Sequence, residues 1–207
     1  MIWGSIQRRF SAMRLFVAMV LWAGEALAVS AHPARAAPAT FTILSEMEPA
    51  RPLKPGEFSW DSEATATGEL TVVIDLKRQL AHIYRGGHEI GLATISSGRR
   101  GYETPPGDYA ILEKSIDHYS DLFDLAPMPY MQRLTWTGVA LHGGKVPGYP
   151  ASHGCVRLPE AFAHILYFET RLGGRVIVSP DWRGGAIPGA SFPDEDPATL
   201  RLKGVGG

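Results

Sequence analysis

The sequence predicts a mainly β protein, with a sandwich or barrel-like core and one helix near the end of the domain. The first observation is a series of short apolar, β-branched segments between Leu70 and Lys114, separated by turns rich in glycine and proline. Strands at such short intervals are typical of β-sandwiches and barrels. The second is one segment, beginning at Pro159, whose apolar residues recur at helical spacing. At 207 residues the chain has room for one domain with appendages.

Four strands are predicted in the first half of the domain, each from apolar or alternating residues bounded by turn signals. They are Leu70–Leu76, Leu80–Tyr84, Glu89–Ser97 and Asp108–Lys114. The tetrapeptide R-G-G-H at 85–88 predicts a hairpin between the second and third strands. Residues 98–107, which end in T-P-P-G, are predicted to form a loop.

The second half of the domain begins with a region, 115–133, that is rich in aromatic residues and methionine. This region is either a loop that covers one end of the core or a wall of a substrate cleft. After it, Leu134–Leu141 is predicted to be a strand that leads directly into His142.

Pro159 is predicted to open the helix, since proline is favoured at the first helical position. The buried stripe predicted for this helix comprises Phe162, Ile165, Leu166 and Leu172. Gly173 or Gly174 would end the helix, and Arg175–Ser179 is predicted to be the last strand.

Residues 1–37 have the layout of a secretory signal peptide. A basic start that contains Arg8, Arg9 and Arg14 precedes a mostly apolar run, Leu15–Leu27, and small residues follow it. We therefore predict export across the inner membrane to the periplasm or cell envelope. An uncleaved anchor is the alternative, although the apolar run is short for a membrane span.

The rest of the chain divides into three parts by composition. Residues 38–68 are rich in proline, alanine and glutamate and are predicted to form a linker or N-terminal arm. The domain itself is predicted at 69–180, and a flexible C-terminal tail at 181–207. A formal net charge of −1 gives no indication of nucleic-acid binding. The single cysteine cannot form an internal disulfide, and nothing in the sequence predicts the oligomeric state.

The chemistry of the chain is concentrated in Leu141–Leu158, L-H-G-G-K-V-P-G-Y-P-A-S-H-G-C-V-R-L. This stretch contains the cysteine, Cys155, and two of the seven histidines, His142 and His153. A cysteine is nucleophilic as the thiolate, so it needs a base or a positive charge nearby, and either histidine could be that base. Arg157 could bind a substrate carboxylate or stabilise the thiolate.

Three other interpretations of these residues stay open at this point. A lone cysteine is more often a small buried hydrophobic residue than a nucleophile. Two histidines and a cysteine could be zinc ligands, although their spacing matches no usual ligand pair. The glycines could simply form a turn. Rapid alkylation at neutral pH would distinguish a low-pKa thiolate from a structural cysteine.

The segment S-H-G-C-V-R-L at 152–158, preceded by H-G at 142–143, resembles the signature of the L,D-transpeptidase catalytic domain, the YkuD-type family. The resemblance extends upstream to three further segments: a start at 73–84 that begins with V-I-D-L and ends at Tyr84, I-S-S-G at 95–98 and T-P-P-G at 104–107. It covers roughly 69–179. The fold it implies is a YkuD-like β-sandwich or barrel-like core, with one helix after the cysteine.

The resemblance also implies roles for the residues of the motif. Cys155 would be the nucleophile, and His142 would be the general base, oriented by the backbone carbonyl of Gly143. Ser152 and His153 would shape the site, with His153 as a weaker candidate for the base.

The backbone N–H groups of Gly154 and Cys155 would form the oxyanion hole, and Arg157 would organise the pocket and meet the substrate. The resemblance favours the cleft wall for 128–130, so Met128 and Tyr130 are candidate cleft residues. It implies neither a metal nor a cofactor.

The implied function is that of an L,D-transpeptidase acting on peptidoglycan stem peptides. A cysteine thioester would form with release of terminal D-alanine, and an amine of a second stem would accept the acyl group. With water as the acceptor, the enzyme is an L,D-carboxypeptidase or cross-link hydrolase; with a protein amine, it attaches that protein to peptidoglycan. A non-catalytic wall-binding module is the alternative of a different class, and the intact His142, His153 and Cys155 argue against it.

Overall fold

Two β-sheets and one helix form the part of the chain that the structure, a computed structural model, describes: residues 42–120 and 125–185. The predicted signal peptide, 1–37, lies outside the described residues, as do 186–207 of the predicted tail. In the described part, the mainly β fold with one helix after the cysteine is confirmed. No helix of that part is long and apolar enough to cross a membrane.

The elements follow one another along the chain in this order: β1 (Phe58–Trp60), β2 (Leu70–Asp75), β3 (Leu80–Arg85), β4 (His88–Thr94), β5 (Gly107–Ala110), β6 (Glu113–Ser115), β7 (Met131–Arg133), β8 (Ala140–Gly143), β9 (Val156–Leu158), α1 (Glu160–Glu169) and β10 (Arg175–Ser179). The larger sheet has six strands in the order β1-β4-β3-β2-β10-β5. The smaller sheet has four, in the order β6-β7-β8-β9. Most neighbours are antiparallel, but β10 is parallel to β2 and β9 is parallel to β8.

Both sheets and α1 contribute to the main hydrophobic core. The strand β2 is buried along almost its whole length, because it has a neighbouring strand on each side and the core below it. The helix directs Phe162, Ala163 and Leu166 into the core. The rings of Phe58 and Trp60 on β1 lie 5.4 and 5.9 Å from the Phe162 ring, between centroids.

The segment predicted as one strand, Asp108–Lys114, contributes instead to both sheets. It forms β5 of the larger sheet and β6 of the smaller one. Between them, the Ile111 N–H donates to Gly174 O at 2.9 Å and the Leu112 N–H donates to Arg133 O at 2.8 Å. Successive residues thus take partners from different sheets, which the local sequence does not reveal.

The prediction of a strand over Leu134–Leu141 is wrong for most of its length. Residues 134–139 form the turn of a hairpin between β7 and β8, in which the Leu134 N–H donates to Val139 O at 2.8 Å. Gly138 has a φ of 107°, a conformation that glycine adopts without strain. The strand β8 then carries His142, so the predicted delivery of this histidine by a strand holds.

The helix α1 ends earlier than predicted. Pro159 precedes its first turn, and Thr170 leaves the helical conformation with its N–H and its hydroxyl both bonded to Leu166 O. Leu172 therefore lies beyond the helix and is exposed, not part of a buried stripe. The turn that follows, and not the helix, contains the glycines at 173 and 174.

Parts of the predicted arm and tail pack onto the larger sheet. The arm supplies β1, and its Ile43 packs against Val73 and Tyr84. From the start of the tail, Trp182 joins the same cluster, and its indole N–H donates to the Tyr84 hydroxyl at 3.3 Å. These flanking segments therefore cover the face of the sheet that the main core leaves open.

Candidate active site

Backbone hydrogen bonds join the segment I-S-S-G to the cysteine motif. The N–H of Arg157 donates to Ser96 O, and the N–H of Ser96 donates to Arg157 O, each at 2.9 Å. On the other side of the cysteine, the backbone N–H of Ser152 donates to Ser97 O, and the backbone N–H of Arg99 donates to Ser152 O, each at 3.0 Å. The loop that carries Cys155 is thus fixed at both ends by one upstream segment.

The parallel pairing of β8 with β9 brings the two halves of the motif together. Leu141 is paired with Val156, and His142 with Arg157. Because adjacent strands lie about 4.8 Å apart, a histidine and a cysteine that are separated by a long loop reach the same end of the sheet. His142 and Cys155 accordingly line one cleft.

This cleft has a volume of about 300 Å³. Its lining residues are Ser120, Ala126, Pro127, Met128, Gly138, His142, Gly144, Lys145, Ser152, His153, Cys155 and Arg157. It therefore brings together most of the site residues that the sequence predicts. Gly143, Gly154 and Tyr130 do not line it.

His142 is held as a neutral imidazole with a defined tautomer. Its Nδ1–H donates to Gly143 O at 2.8 Å, as the resemblance implies, so Nε2 carries the lone pair. The Gly143 N–H in turn donates to Pro129 O at 2.8 Å, which fixes this peptide group. Burial, opposed by the Gly143 carbonyl and assisted by the charge of Arg157, lowers the pKa of His142 to about 4. At neutral pH this side chain is therefore able to accept a proton.

The thiol of Cys155 is protonated in the resting site. It donates to Gly138 O at 3.3 Å, and not to His142. Burial raises the pKa of the Cys155 thiol, and the Ala140 N–H and the charge of Arg157 offset only part of that shift. We therefore expect both the thiol and the imidazole to be neutral at pH 7, and we do not expect rapid alkylation at that pH.

Ser152 organises the loop around the nucleophile. Its hydroxyl donates to Cys155 O at 2.5 Å and accepts from the Gly154 N–H at 3.1 Å. Gly154 has a φ of 116°, which lets the chain make this tight bend. The Gly154 N–H is thereby engaged with Ser152, contrary to its predicted place in the oxyanion hole. Of the two predicted donors, the Cys155 N–H is the one that remains.

His153 lies at the exposed rim of the cleft, and its ring nitrogen Nε2 is occupied. Arg99 donates from Nη2 to His153 Nε2 at 2.8 Å. Tyr102 packs edge-on against the imidazole, with ring centroids 4.9 Å apart, and the Arg99 guanidinium lies 4.9 Å from the Tyr102 centroid. Because Nε2 of His153 already accepts a hydrogen bond from a cation, His142 is the better placed base.

The two predicted cleft-wall residues have different environments. Met128 lines the cleft, as predicted. Tyr130 packs instead against α1, with ring centroids 5.1 Å from His164 and 6.0 Å from Tyr167. The φ of Tyr130 is 57°, which marks a sharp turn of the chain just after Met128. The structure thus places Tyr130 beside the helix, contrary to the prediction.

Several residues of the site were not singled out in the sequence. Thr104 joins two loops behind the cysteine, Gly138 accepts from the thiol, and Lys145 lines the cleft. Thr104 and Lys145 fall inside segments that the sequence marks, T-P-P-G and Leu141–Leu158, so a signal existed for both. Gly138 gives no signal beyond that of a turn glycine. Among the described residues, no three His, Cys, Asp or Glu side chains are grouped so that they could hold a metal ion.

Residues 69–178 match the YkuD family, described as the L,D-transpeptidase catalytic domain. The chain also resembles solved structures of L,D-transpeptidases. One from Mycobacterium tuberculosis H37Rv is 25% identical with a TM-score of 0.51, and the match covers 53% of this chain and 57% of that one. One from Stackebrandtia nassauensis is 26% identical with a TM-score of 0.51, covering 61% and 60%.

A third L,D-transpeptidase, residues 123–326 of the protein from Xylanimonas cellulosilytica DSM 15894, is 28% identical with a TM-score of 0.50, covering 56% of this chain and 63% of that one. This chain thus spans between 57% and 63% of the lengths of these three structures. The comparison with curated proteins found no match. Because the family match takes in more than half of its residues, the chain belongs to the YkuD family, that of the L,D-transpeptidase catalytic domain.

Proposed function

We propose that the protein is an L,D-transpeptidase that acts on peptidoglycan stem peptides through a thioester on Cys155. The observation that carries the proposal is the shared cleft, in which the only cysteine lies with a neutral, oriented His142. Membership of the YkuD family supports the reaction class. The peptidoglycan substrate comes from the family resemblance.

In the acylation step, the Cys155 sulfur attacks the carbonyl carbon of the third residue of a tetrapeptide stem. Nε2 of His142 accepts the thiol proton as the S–C bond forms. The negative charge that develops on the carbonyl oxygen is stabilised by the Cys155 N–H. The C–N bond to the terminal D-alanine then breaks, and His142 returns the proton to the leaving amine.

In the second step an amine attacks the thioester, and His142 takes a proton from it and gives one back to the sulfur. The acceptor we propose is the side-chain amine of a second stem, which yields a cross-link. With water as the acceptor, the product is a tripeptide, and with a protein amine, a protein is joined to the wall. Cys155 and His142 serve all three outcomes, and the shape of the cleft decides which acceptor reaches the thioester.

Mass spectrometry of the products tests this function. The purified protein is incubated with a disaccharide tetrapeptide, and Cys155→Ala serves as the control variant. We expect a cross-linked dimer together with free D-alanine, both lost in the control. A tripeptide alone would identify a hydrolase, and turnover near the wild-type rate by Cys155→Ala would contradict the thioester mechanism.

We also propose that residues 1–37 direct export to the periplasm or cell envelope, where peptidoglycan lies. The support is the basic start and the apolar run of that segment. Cell fractionation followed by intact-mass measurement tests it. A mature chain in the periplasmic fraction, shortened near 37, is the expected result; a full-length chain in the cytoplasm would contradict it.

A further inference from the structure

The cleft is lined by charged side chains of one sign. Lys145 and Arg157 contribute an ammonium and a guanidinium group. No Asp or Glu is among the lining residues in the part of the chain that the structure describes. A cleft with cationic and without anionic groups favours a ligand that carries negative charge.

Gly144 brings these two cations to the same wall. A Cβ atom added to Gly144 would lie 3.5 Å from Cγ and Cδ of Arg157, and 3.6 Å from Cε1 of His142. The backbone at this point thus runs directly against both side chains. Lys145 is the next residue, and it lines the same cleft as Arg157 and His142.

The backbone on both sides of Lys145 is fixed. Before it, the Gly144 N–H donates to Leu158 O at 2.9 Å. After it, the side chain of Val146 is buried. Because the residues on both sides of Lys145 are anchored, its backbone position is fixed before a ligand binds. Less conformational entropy is therefore lost on binding.

Both cations also lack a carboxylate partner within the described residues, where several other cations have polar partners. Lys77 pairs with Asp181 at 2.8 Å, and Lys114 donates to two carbonyls at the end of α1. Neither Lys145 nor the half-buried Arg157 forms an ion pair in that part of the chain. A half-buried guanidinium that faces a cleft without an internal counter-charge is suited to a carboxylate from a ligand.

We propose that Lys145 is a specificity-determining residue that binds the free C-terminal carboxylate of the donor peptide, next to Arg157. This inference rests on the proposed function. It makes the cleft selective for donors whose leaving residue is the last of the chain. The carboxylate of the departing D-alanine lies one residue beyond the scissile bond. We assign it to Lys145 because this lysine lines the cleft that also contains Cys155 and His142.

The test compares two donors that differ by one charge: a stem tetrapeptide with a free C-terminal carboxylate and the same peptide as a carboxamide. For each donor, kcat/KM is measured by D-alanine or D-alaninamide release with the wild type, Lys145→Met and Lys145→Glu. Lys54→Met, which changes an exposed lysine outside the cleft, is the matched control. The acid-to-amide ratio is the readout, because a general loss of folding cancels from it.

We expect the wild type and Lys54→Met to favour the acid by about tenfold or more, as a charge-assisted hydrogen bond allows. Lys145→Met should reduce that ratio by about tenfold, mainly through a higher KM for the acid, and Lys145→Glu should bring it below one. An unchanged ratio in Lys145→Met, or equal use of both donors by the wild type, overturns the inference. If neither donor yields a Cys155-dependent product, the proposed function itself fails, an outcome distinct from a lost preference.

Discussion

The hydroxyl of Thr104 donates to the carbonyl of Gly154 at 2.8 Å and accepts from the Gly98 N–H at 2.9 Å. Thr104 is 2% exposed, so both bonds are shielded from water. The segment T-P-P-G thereby holds the residue that immediately precedes the nucleophile. A side chain that no step of the reaction uses thus fixes the backbone of the catalytic loop.

Replacing this threonine with valine tests that arrangement. Thr104→Val keeps the shape of the side chain but leaves a buried N–H and a buried carbonyl unpaired. We expect a loss of about 2 kcal/mol or more in the free energy of unfolding, with a lower rate of D-alanine release per folded molecule. Urea denaturation and initial rates measure the two effects. Thr65→Val changes an exposed threonine and should alter neither the free energy of unfolding nor the rate of D-alanine release. Equal losses in both variants would contradict the role of Thr104.

The unfolding free energy should depend on pH through His142. Its pKa is about 4 in the folded protein and about 6.5 when unfolded. The unfolded chain binds a proton that the folded one excludes, so stability falls as pH drops from 6.5 to 4 and this loss is complete below that range. The full contribution is roughly 3 kcal/mol. Urea denaturation of wild type and His142→Gln at pH 7 and pH 4 should show it; parallel losses in the two proteins would contradict the assigned pKa.

Replacing the base should cost more activity than replacing the neighbouring serine. General base catalysis typically contributes a hundredfold or more, so His142→Gln should lower kcat/KM by about that factor. Ser152→Ala removes hydrogen bonds to the loop backbone but no proton acceptor, and a smaller loss is expected. Initial rates of D-alanine release measure both. Equal small losses would move the role of base to His153.

The reactivity of the thiol provides a separate check on the resting site. Because burial raises the pKa of Cys155, the thiolate fraction at pH 7 should be smaller than that of a free cysteine. Alkylation by iodoacetamide should therefore be slow and should rise with pH to beyond about 8.5, the usual value. Glutathione measured in parallel is the reference. A rapid rate that is independent of pH near neutrality would reveal a thiolate and contradict the neutral pair.

Trp182 should contribute to stability without contributing to catalysis. It packs with Tyr84 and Val73 on the larger sheet, in a cluster separate from the cleft. Trp182→Ala should destabilise the fold by about 2 kcal/mol, since the ring is half-buried. Activity per folded molecule should be unchanged. Thermal denaturation measures the change in stability, and Phe168→Ala, which replaces an exposed aromatic residue on α1, is the control. An unchanged midpoint for Trp182→Ala would show that the tail does not stabilise the sheet.

The sequence was informative where structure is determined by near neighbours. Alternation and β-branching identify β2, β3 and β4, and Pro159 identifies the start of α1. The sequence did not predict the local structure where it depends on a hydrogen-bond partner that is distant along the chain. Ile111 and Leu112 look like the middle of one strand, but their partners lie in two different sheets. Leu172 continues an apolar spacing, but Thr170 ends the helix before it.

The same distinction holds at the site. The roles predicted for Cys155, His142 and Gly143 come from the resemblance of one short segment to the family signature, and the structure brings the first two into one cleft. The direction of a backbone N–H depends on which acceptor the fold provides, so the engagement of Gly154 with Ser152 could not be foreseen. Tyr130 was misplaced for a related reason, because a positive φ in a loop carries no sequence signal in a tyrosine.

β10, the last strand along the described residues, occupies an interior place in the larger sheet, between β2 and β5. Until Arg175–Ser179 leaves the ribosome, β2 and β5 have no strand to join them, and an unfinished chain exposes two unpaired edges. Pairing of strands so distant in sequence is slow, because a long loop must close first. The larger sheet can therefore close only after β10 has been synthesised, so a chain truncated before Arg175 would leave β2 and β5 unjoined.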